Sequence, residues 1–204
     1  MNDLKKFDRR LVLSVAFLAP FAGTAAQAQA ADPAVALIER FYASLRAAMA
    51  RAAGGVTVAD KARLLTGPVN STFDTAAMTR LAVGQYWSSI PGGQQGAIQQ
   101  AFSRFLVASY AKQIRGFSGE RFEVSPETEK RRVGTLVRSK VYDGSSPTSV
   151  DYLVAGGRVV DVYLNNSVSE LASRRAEFES ILSSGGASAL LSSLTERTNR
   201  LLAS

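Results

Sequence analysis

The chain has 204 residues and a formal net charge of +7, and it contains neither histidine nor cysteine. Ser-His and Cys-His nucleophile pairs are therefore excluded, as are zinc sites built on thiolate or imidazole. An active site made of carboxylates alone stays open.

The first thirty residues have the layout of an export signal. Lys5, Lys6, Arg9 and Arg10 form a basic start, Leu11 to Ala22 is a short apolar run, and Ala26-Gln27-Ala28 and Ala28-Gln29-Ala30 are small-x-small cleavage sites. The run is too short to span a bilayer. An uncleaved amphipathic anchor is the plainer alternative, and the cleavage sites speak against it. Arg9-Arg10-Leu11-Val12-Leu13 also fits a twin-arginine signal, so both export routes stay open. The expectation is a signal over residues 1–30 and one mature domain over 31–204, in an envelope compartment.

Removing four basic and two acidic residues lowers the net charge from +7 to +5 and leaves 174 residues, enough for one core. That excess suits an anionic lipid surface or an acidic partner. Nucleic acid is not expected, because there is no long basic run; Lys130-Arg131-Arg132 reads as a solvated turn. Without disulfides the fold must hold by packing alone.

A first helix is expected over about Ala34 to Ala53, with Ile38, Phe41, Tyr42, Leu45 and Met49 on its apolar face and Gly54-Gly55 at its end. A second, Val58 to Leu65, is expected to close at Pro68. A third starts at Asp74 as N-cap and carries Met78, Leu81, Ala82 and Gln85. Pro91-Gly92-Gly93 separates it from a long helix, Gln94 to Ile114, whose stripe is Ile98, Phe102, Phe105, Leu106, Tyr110 and Ile114. Gly116 and Gly119 stop that helix. Strands follow at Arg121–Val124, Val133–Tyr142, Ser149–Ala155 and Arg158–Leu164. Turns fall at 143–147, at Gly156-Gly157 and at Asn165-Asn166. A helix from Val168 to Leu182, a break at Gly185-Gly186 and a last helix with Leu190, Leu191, Leu194 and Leu201 end the chain. The order predicts an α+β fold, with helices on one face of a four-stranded, mainly antiparallel sheet.

Candidate chemistry is sparse. Asp151 and Asp161 sit in neighbouring strands and could pair across a hairpin. The plainer alternative puts both on the outer or rim face, or pairs Asp161 with an arginine such as Arg138. It is favoured because no other polar machinery converges there. Arg174-Arg175 could hold an anionic group or form a solvated face. Gly84-Gln85-Tyr86-Trp87 could mark a ligand mouth, since Tyr and Trp suit apolar–polar boundaries, or could be ordinary core. The Gly-Gly pairs at 54, 92, 156 and 185 read as turns without phosphate-loop spacing.

An ordered series of blocks resembles the MlaC, or toluene-tolerance, family of periplasmic lipid carriers, which includes the hopanoid-associated HpnM branch. The blocks are Phe73-Asp74 with LAVGQYW at Leu81–Trp87, AFSRFLVASYA at Ala101–Ala111, and FSGERFEV at Phe117–Val124. Val150-Asp151-Tyr152, Val160-Asp161-Val162 and Ser167–Phe178 with Gly185-Gly186 follow. Two departures fall at the last hairpin: Val159, where many members carry Trp, and Asn165-Asn166, where a Gly-containing turn is usual. The resemblance implies a periplasmic shuttle, not an enzyme, that carries phospholipid between the outer membrane and an inner-membrane ABC transporter and maintains outer-membrane lipid asymmetry. It implies acyl tails in a cavity between sheet and helices, an MlaA-type outer-membrane lipoprotein complex and an MlaD-type MCE protein as partners, and no cofactor beyond the phospholipid or hopanoid cargo.

The residues agree with that implication. Two acyl chains hold about thirty methylenes, so their exposure costs roughly 20–25 kcal/mol at ~0.8 kcal/mol each. Only a deep apolar cavity offsets this. Leu81, Tyr86, Trp87, Phe102, Phe105, Leu106, Tyr110, Tyr152 and Val162 are the lining candidates; no catalytic or metal-binding residue is expected. The alternatives are a hopanoid carrier of the same family, an envelope carboxylate hydrolase, and a structural adaptor.

Overall fold

The computed structural model describes residues 32–51, 56–113, 121–142, 146–165 and 168–204. The expectations for the export signal, Gly54-Gly55, Ile114, Gly116, Gly119, the 143–145 turn and Asn166 lie outside the described residues.

Helix α1 (Pro33–Ala50) starts at Asp32, whose side chain accepts the Ala34 N–H, with Pro33 in the first turn where its missing N–H is not needed. Ile38, Phe41, Tyr42, Leu45 and Met49 are all buried on one face, as the periodicity predicts. Helix α2 (Val58–Thr72) opens with a capping box between Thr57 and Asp60. It does not end at Pro68 but runs one turn past it. Leu65, Val69 and Phe73 recur at the helical repeat and are fully buried. Their burial, ~1.5–3 kcal/mol per large side chain, offsets the ~3 kcal/mol that an interior proline costs.

Asp74 caps α3 (Thr75–Val83) through a 2.8 Å bond from the Ala77 N–H. A 3₁₀ turn (Gly84–Ser89) then leads into α4 (Gly92–Gln113), which takes Gly92 and Gly93 into its first turn instead of leaving them as a linker. Gln85 falls in that 3₁₀ turn, outside the α3 repeat.

The strands form one antiparallel meander in sequence order: β1 (Arg121–Arg131), β2 (Gly134–Tyr142), β3 (Pro147–Ala155), β4 (Arg158–Leu164) and the two-residue β5 (Val168–Ser169). Strand β1 is longer than the sequence suggests. It carries Pro126 at a register shift between Val124 and Thr128, and a proline without an N–H is tolerated on such an edge. Lys130 and Arg131 therefore end a strand, paired with Thr135 and Gly134. Gly156 and Gly157 turn β3 into β4 with φ of 58° and 76°, the left-handed pair that a two-residue hairpin requires.

Helix α5 (Glu170–Leu202) starts at Ser169 as N-cap, because Val168 and Ser169 are used as strand. Gly186 breaks it into two segments at φ 65°. Asn165 adopts φ 50° and donates its N–H to Ser149 O at 2.9 Å. Asparagine tolerates this region, so the turn after β4 forms with asparagine in a glycine-like conformation.

The helices cover one face of the sheet, and the core lies between. The layers are pinned where α2 meets α3. Phe73 bridges to Val159, the Asp74 N–H donates to Val159 O at 2.9 Å, and Arg158 donates to the carbonyls of Phe73 and Asn70. Val159 is fully buried there, so a larger side chain at that contact would require repacking.

Candidate functional site

Tyr152 sits opposite Val162 on β3 and β4, and Val150 opposite Leu164, all facing the helices. On the helical side, Phe102, Phe105, Leu106 and Tyr110 recur along α4 and face the strands. Between them lies a cavity of about 280 Å³, also lined by Met78, Phe122 and Val141. Its wall is apolar apart from the hydroxyls of Tyr42, Tyr110 and Tyr152 and the side chains of Ser109, Gln113, Thr148, Glu170 and Arg174.

Its inner end is an aromatic cluster. Phe41 packs edge-on against Phe73 at 5.1 Å and against Tyr110 and Tyr152 at 6.0 and 6.2 Å, and Tyr42 stacks on Phe122 at 4.4 Å. Tyr152, Tyr42 and Ser139 join their hydroxyls. Ser139 Oγ donates to Val150 O, so Tyr42 donates its proton to Ser139 at 2.7 Å. Tyr152 then donates to Tyr42 at 3.1 Å. Each hydroxyl has one proton to give, so the order is fixed by counting. Burial pushes the phenols of Tyr42, Tyr110 and Tyr152 upward, Tyr152 farthest; neighbouring hydroxyls add to the shift of Tyr152, whereas hydrogen bonds with Ser139 and Tyr152 pull Tyr42 back. They stay neutral at any physiological pH and offer no phenolate nucleophile.

The two aspartates face away from the cavity. Asp151 stands opposite Tyr163, and Asp161 opposite Leu153, one residue out of phase with Tyr152 and Val162. Asp161 is not paired with arginine. It accepts from the Val162 N–H at 2.8 Å, Ser169 Oγ at 2.6 Å and the Leu171 N–H at 3.3 Å, tying β4 to the start of α5. Arg138 pairs with Glu129 at 2.6 Å. Burial raises the Asp151 carboxyl above its usual value, while the Ser139 N–H and Arg138 pull it down. These bonds hold structure: Asp161 borders the outer groove that Leu81 lines and Asp151 a separate hollow beside Arg131, Arg132 and Arg138, so the two carboxyls do not meet in one space.

Of the nine lining candidates, Phe102, Phe105, Leu106, Tyr110, Tyr152 and Val162 meet around the cavity. Leu81, Tyr86 and Trp87 do not. Leu81 is 47% exposed in a groove on the other side, beside Leu153, Tyr163 and Arg175. Tyr86 and Trp87 lie in the 3₁₀ turn, half-buried against the core, where the Trp87 carbonyl accepts from Gln95 Nε2 at 2.9 Å. The turn reverses the chain between α3 and α4 and packs against α5, which carries its rings away from the cavity. Arg175 is used structurally: it donates twice to the Leu81 carbonyl, at 2.6 and 3.0 Å. Arg174 is placed differently, beside the cavity and over the Phe105 ring at 5.0 Å.

Sequence reasoning did not single out Tyr42, Phe122, Val141 or Glu170 as lining. Tyr42 had a signal, a polar handle on an otherwise apolar stripe, and Phe122 had its place in a strand alternating toward the helices. Among the described residues, no group of three or more Asp or Glu is placed to hold a metal ion.

The model of the family described as MlaC protein matches residues 39–196. The chain belongs to the MlaC family. No curated protein sequence matches it. A solved structure, a phospholipid-binding protein from Ralstonia solanacearum in complex with a phospholipid, is similar with a TM-score of 0.70 at 20% identity. The match covers 82% of this chain and 98% of that one. At that identity the likeness speaks for the fold. This MlaC-family chain therefore has the helix-on-sheet architecture that its sequence blocks imply, with a cavity between the layers.

Proposed function

We propose that the protein is a periplasmic phospholipid carrier that takes acyl tails into the cavity between α4 and the inner face of the sheet. The cavity carries this proposal: an apolar void of about 280 Å³ in a chain of the MlaC family. A void lined by side chains able to fill it costs stability. A domain without disulfides keeps one most economically when a ligand occupies it. The Ralstonia solanacearum relative, which holds a phospholipid, supports the choice of cargo.

The tail term dominates the energetics, at ~0.8 kcal/mol for each buried methylene. The cavity supplies an apolar wall and the satisfied tyrosine chain supplies a rigid end to it. No group in this wall is poised to attack an ester, so the carrier releases its lipid unchanged. The partners proposed are an MlaA-type lipoprotein complex at the outer membrane and an MlaD-type MCE protein of the inner-membrane transporter. The proposed site is the periplasm, reached by cleavage of the signal over residues 1–30. An envelope-extracted protein beginning at Ala31, or at Gln29, checks the export step, and an intact Met1 overturns it.

The deciding experiment is mass spectrometry of organic-extractable ligand from gently purified protein, with uptake of labelled lipid from vesicles. Diacyl phospholipid at near one equivalent is expected. A hopanoid at the same occupancy reassigns the cargo. Protein that is lipid-free and takes up none overturns the carrier.

A further inference from the structure

The apolar cavity does not end at the α4–α5 seam. Phe105, Ser109, Gln113 and Arg174 line it on one side, and the same four residues line a second hollow of about 520 Å³ on the other. The rest of that second hollow joins Leu201 and Ser204, which accepts from Lys112 at 3.0 Å, to three cations. Lys112, Arg197 and Arg200 stand around it, and no carboxylate is among its described lining residues. The nearest carboxylates lie behind the cations. Glu177 pairs with Arg197 and lies 3.2 Å from Arg174, Glu170 lies 3.9 Å from Arg174 on the cavity side, and Glu196 lies 3.8 Å from Arg200. A guanidinium has five N–H donors in a fork. A carboxylate uses at most two, so Arg174 between Glu170 and Glu177 keeps at least one donor and Arg197 on Glu177 keeps three.

An apolar slot opening into a cationic vestibule has the polarity of a lipid cut at the glycerol. We propose that the vestibule seats an anionic phosphate group on Arg174, at the mouth of the acyl cavity, with Arg197, Arg200 and Lys112 supplying the surrounding positive potential. The source of the phosphate is the headgroup of the carried lipid, so this inference rests on the carrier reading above. It adds a preference that the cavity alone does not have. A headgroup with net negative charge meets Lys112, Arg197 and Arg200 beside Arg174. The ammonium of phosphatidylethanolamine would lie among like charges, which is unfavourable. The seat is solvated, so the preference is modest and weakens with salt.

The test is competition for one protein. Full-length mature protein, stripped of lipid, is incubated with vesicles of equimolar phosphatidylglycerol and phosphatidylethanolamine of identical acyl composition. It is then re-isolated and its bound lipids are counted by mass spectrometry. The expected result is a two- to fivefold enrichment of phosphatidylglycerol, on the order of what one solvated ion pair supplies, shrinking at high salt. Arg174→Gln should bring the ratio to about one while total lipid uptake persists. Arg174→Lys should retain much of the enrichment, and Arg63→Gln, a surface change on α2, should retain all of it. If Arg174→Gln does not fold, Arg197→Gln in the Arg174→Lys background reads the same ratio.

Lipid uptake by wild type with no class preference overturns the seat and leaves the carrier standing. Absence of any uptake overturns both. Titration with inorganic phosphate separates the sources. Saturable binding of phosphate that is unaffected by loaded lipid assigns the vestibule to a free anion and overturns the headgroup seat.

Discussion

The apolar interior is packed in two different ways. In its closed half, Ile38, Leu65, Val69, Phe73, Ile98, Leu190 and Leu194 are at most 1% exposed and fill the space between α1, α2, α4 and α5. In its open half, Leu106, Phe122, Val141, Val150 and Leu164 carry side chains of the same kinds, yet they surround a void. Helix α4 runs through both halves, with Ile98 in one and Leu106 in the other. The void is therefore not a shortage of apolar residues. Interiors normally close-pack, and a void kept open by ordinary aliphatics marks the half that binds over the half that stabilises.

A charge inserted on α4 gives the largest contrast. Ile98→Arg places an unpaired charge in a dry core, which costs several kcal/mol against a total stability of about 5–15, and the variant should unfold. Leu106→Arg is eight residues on and faces the void, from which an arginine can carry its head toward Ser109 and Gln113. That variant should keep its circular dichroism and lose its co-purifying lipid. Val162→Arg asks the same question from the strand. If Leu106→Arg and Val162→Arg both unfold, the open half is an ordinary core. If both keep normal lipid content, the cargo sits elsewhere.

Ring truncations give a smaller, graded version. Phe41→Ala empties the centre of the aromatic cluster and should cost ~3–5 kcal/mol. Phe122→Ala lies on the cavity side, half-buried against Tyr42, and should cost under half as much. Denaturant midpoints of the two variants decide it; equal costs would erase the distinction between the halves.

The closed half was readable in the sequence and the open half only partly. Helical repeats of apolar residues gave α1 and the α4 stripe, and strand β4 has the bounds its alternation suggests. Burial drives these patterns, so burial is what they report. A cavity is a property of how two faces meet, and no local pattern encodes it. Tyr86 and Trp87 were candidates because Tyr and Trp suit a boundary, but the 3₁₀ turn that holds them lies off that face, and Leu81 points from α3 into the outer groove. Pro68 shows the opposite failure: a strong local stop signal yields to the burial of Val69 and Phe73 behind it. The vestibule joins residues from α4 and from both segments of α5, so its charges are scattered in the sequence and meet only after folding.

The hydroxyl chain lies at the boundary of the two halves. Tyr152→Phe removes the buried bond to the Tyr42 hydroxyl, at ~1 kcal/mol for one net hydrogen bond. A melting shift of a few degrees should accompany unchanged lipid uptake, because the chain closes the cavity without contributing charge. Loss of uptake at full stability would assign these hydroxyls to the ligand.

The smallest effect lies outside both halves, on the outer face of the sheet, and it concerns pH. Asp151 is buried there and its carboxyl is raised above the ordinary value, with desolvation as the leading cause. A raised carboxyl favours the protonated form in the folded state. The sign follows: its contribution to stability is fully present below the unfolded value near 4 and is lost as pH rises through the folded value. One proton limits the slope to ~1.4 kcal/mol per pH unit. Asp151→Asn should therefore flatten the rising-pH loss above pH 4 and leave the variant at least as stable as wild type at neutral pH. The cavity tyrosines, neutral across this window, should contribute nothing to it, so Tyr152→Phe should shift the whole stability curve without changing its shape. A changed shape in Tyr152→Phe with an unchanged one in Asp151→Asn would place the titrating group inside the cavity and reverse the assignment of the two faces.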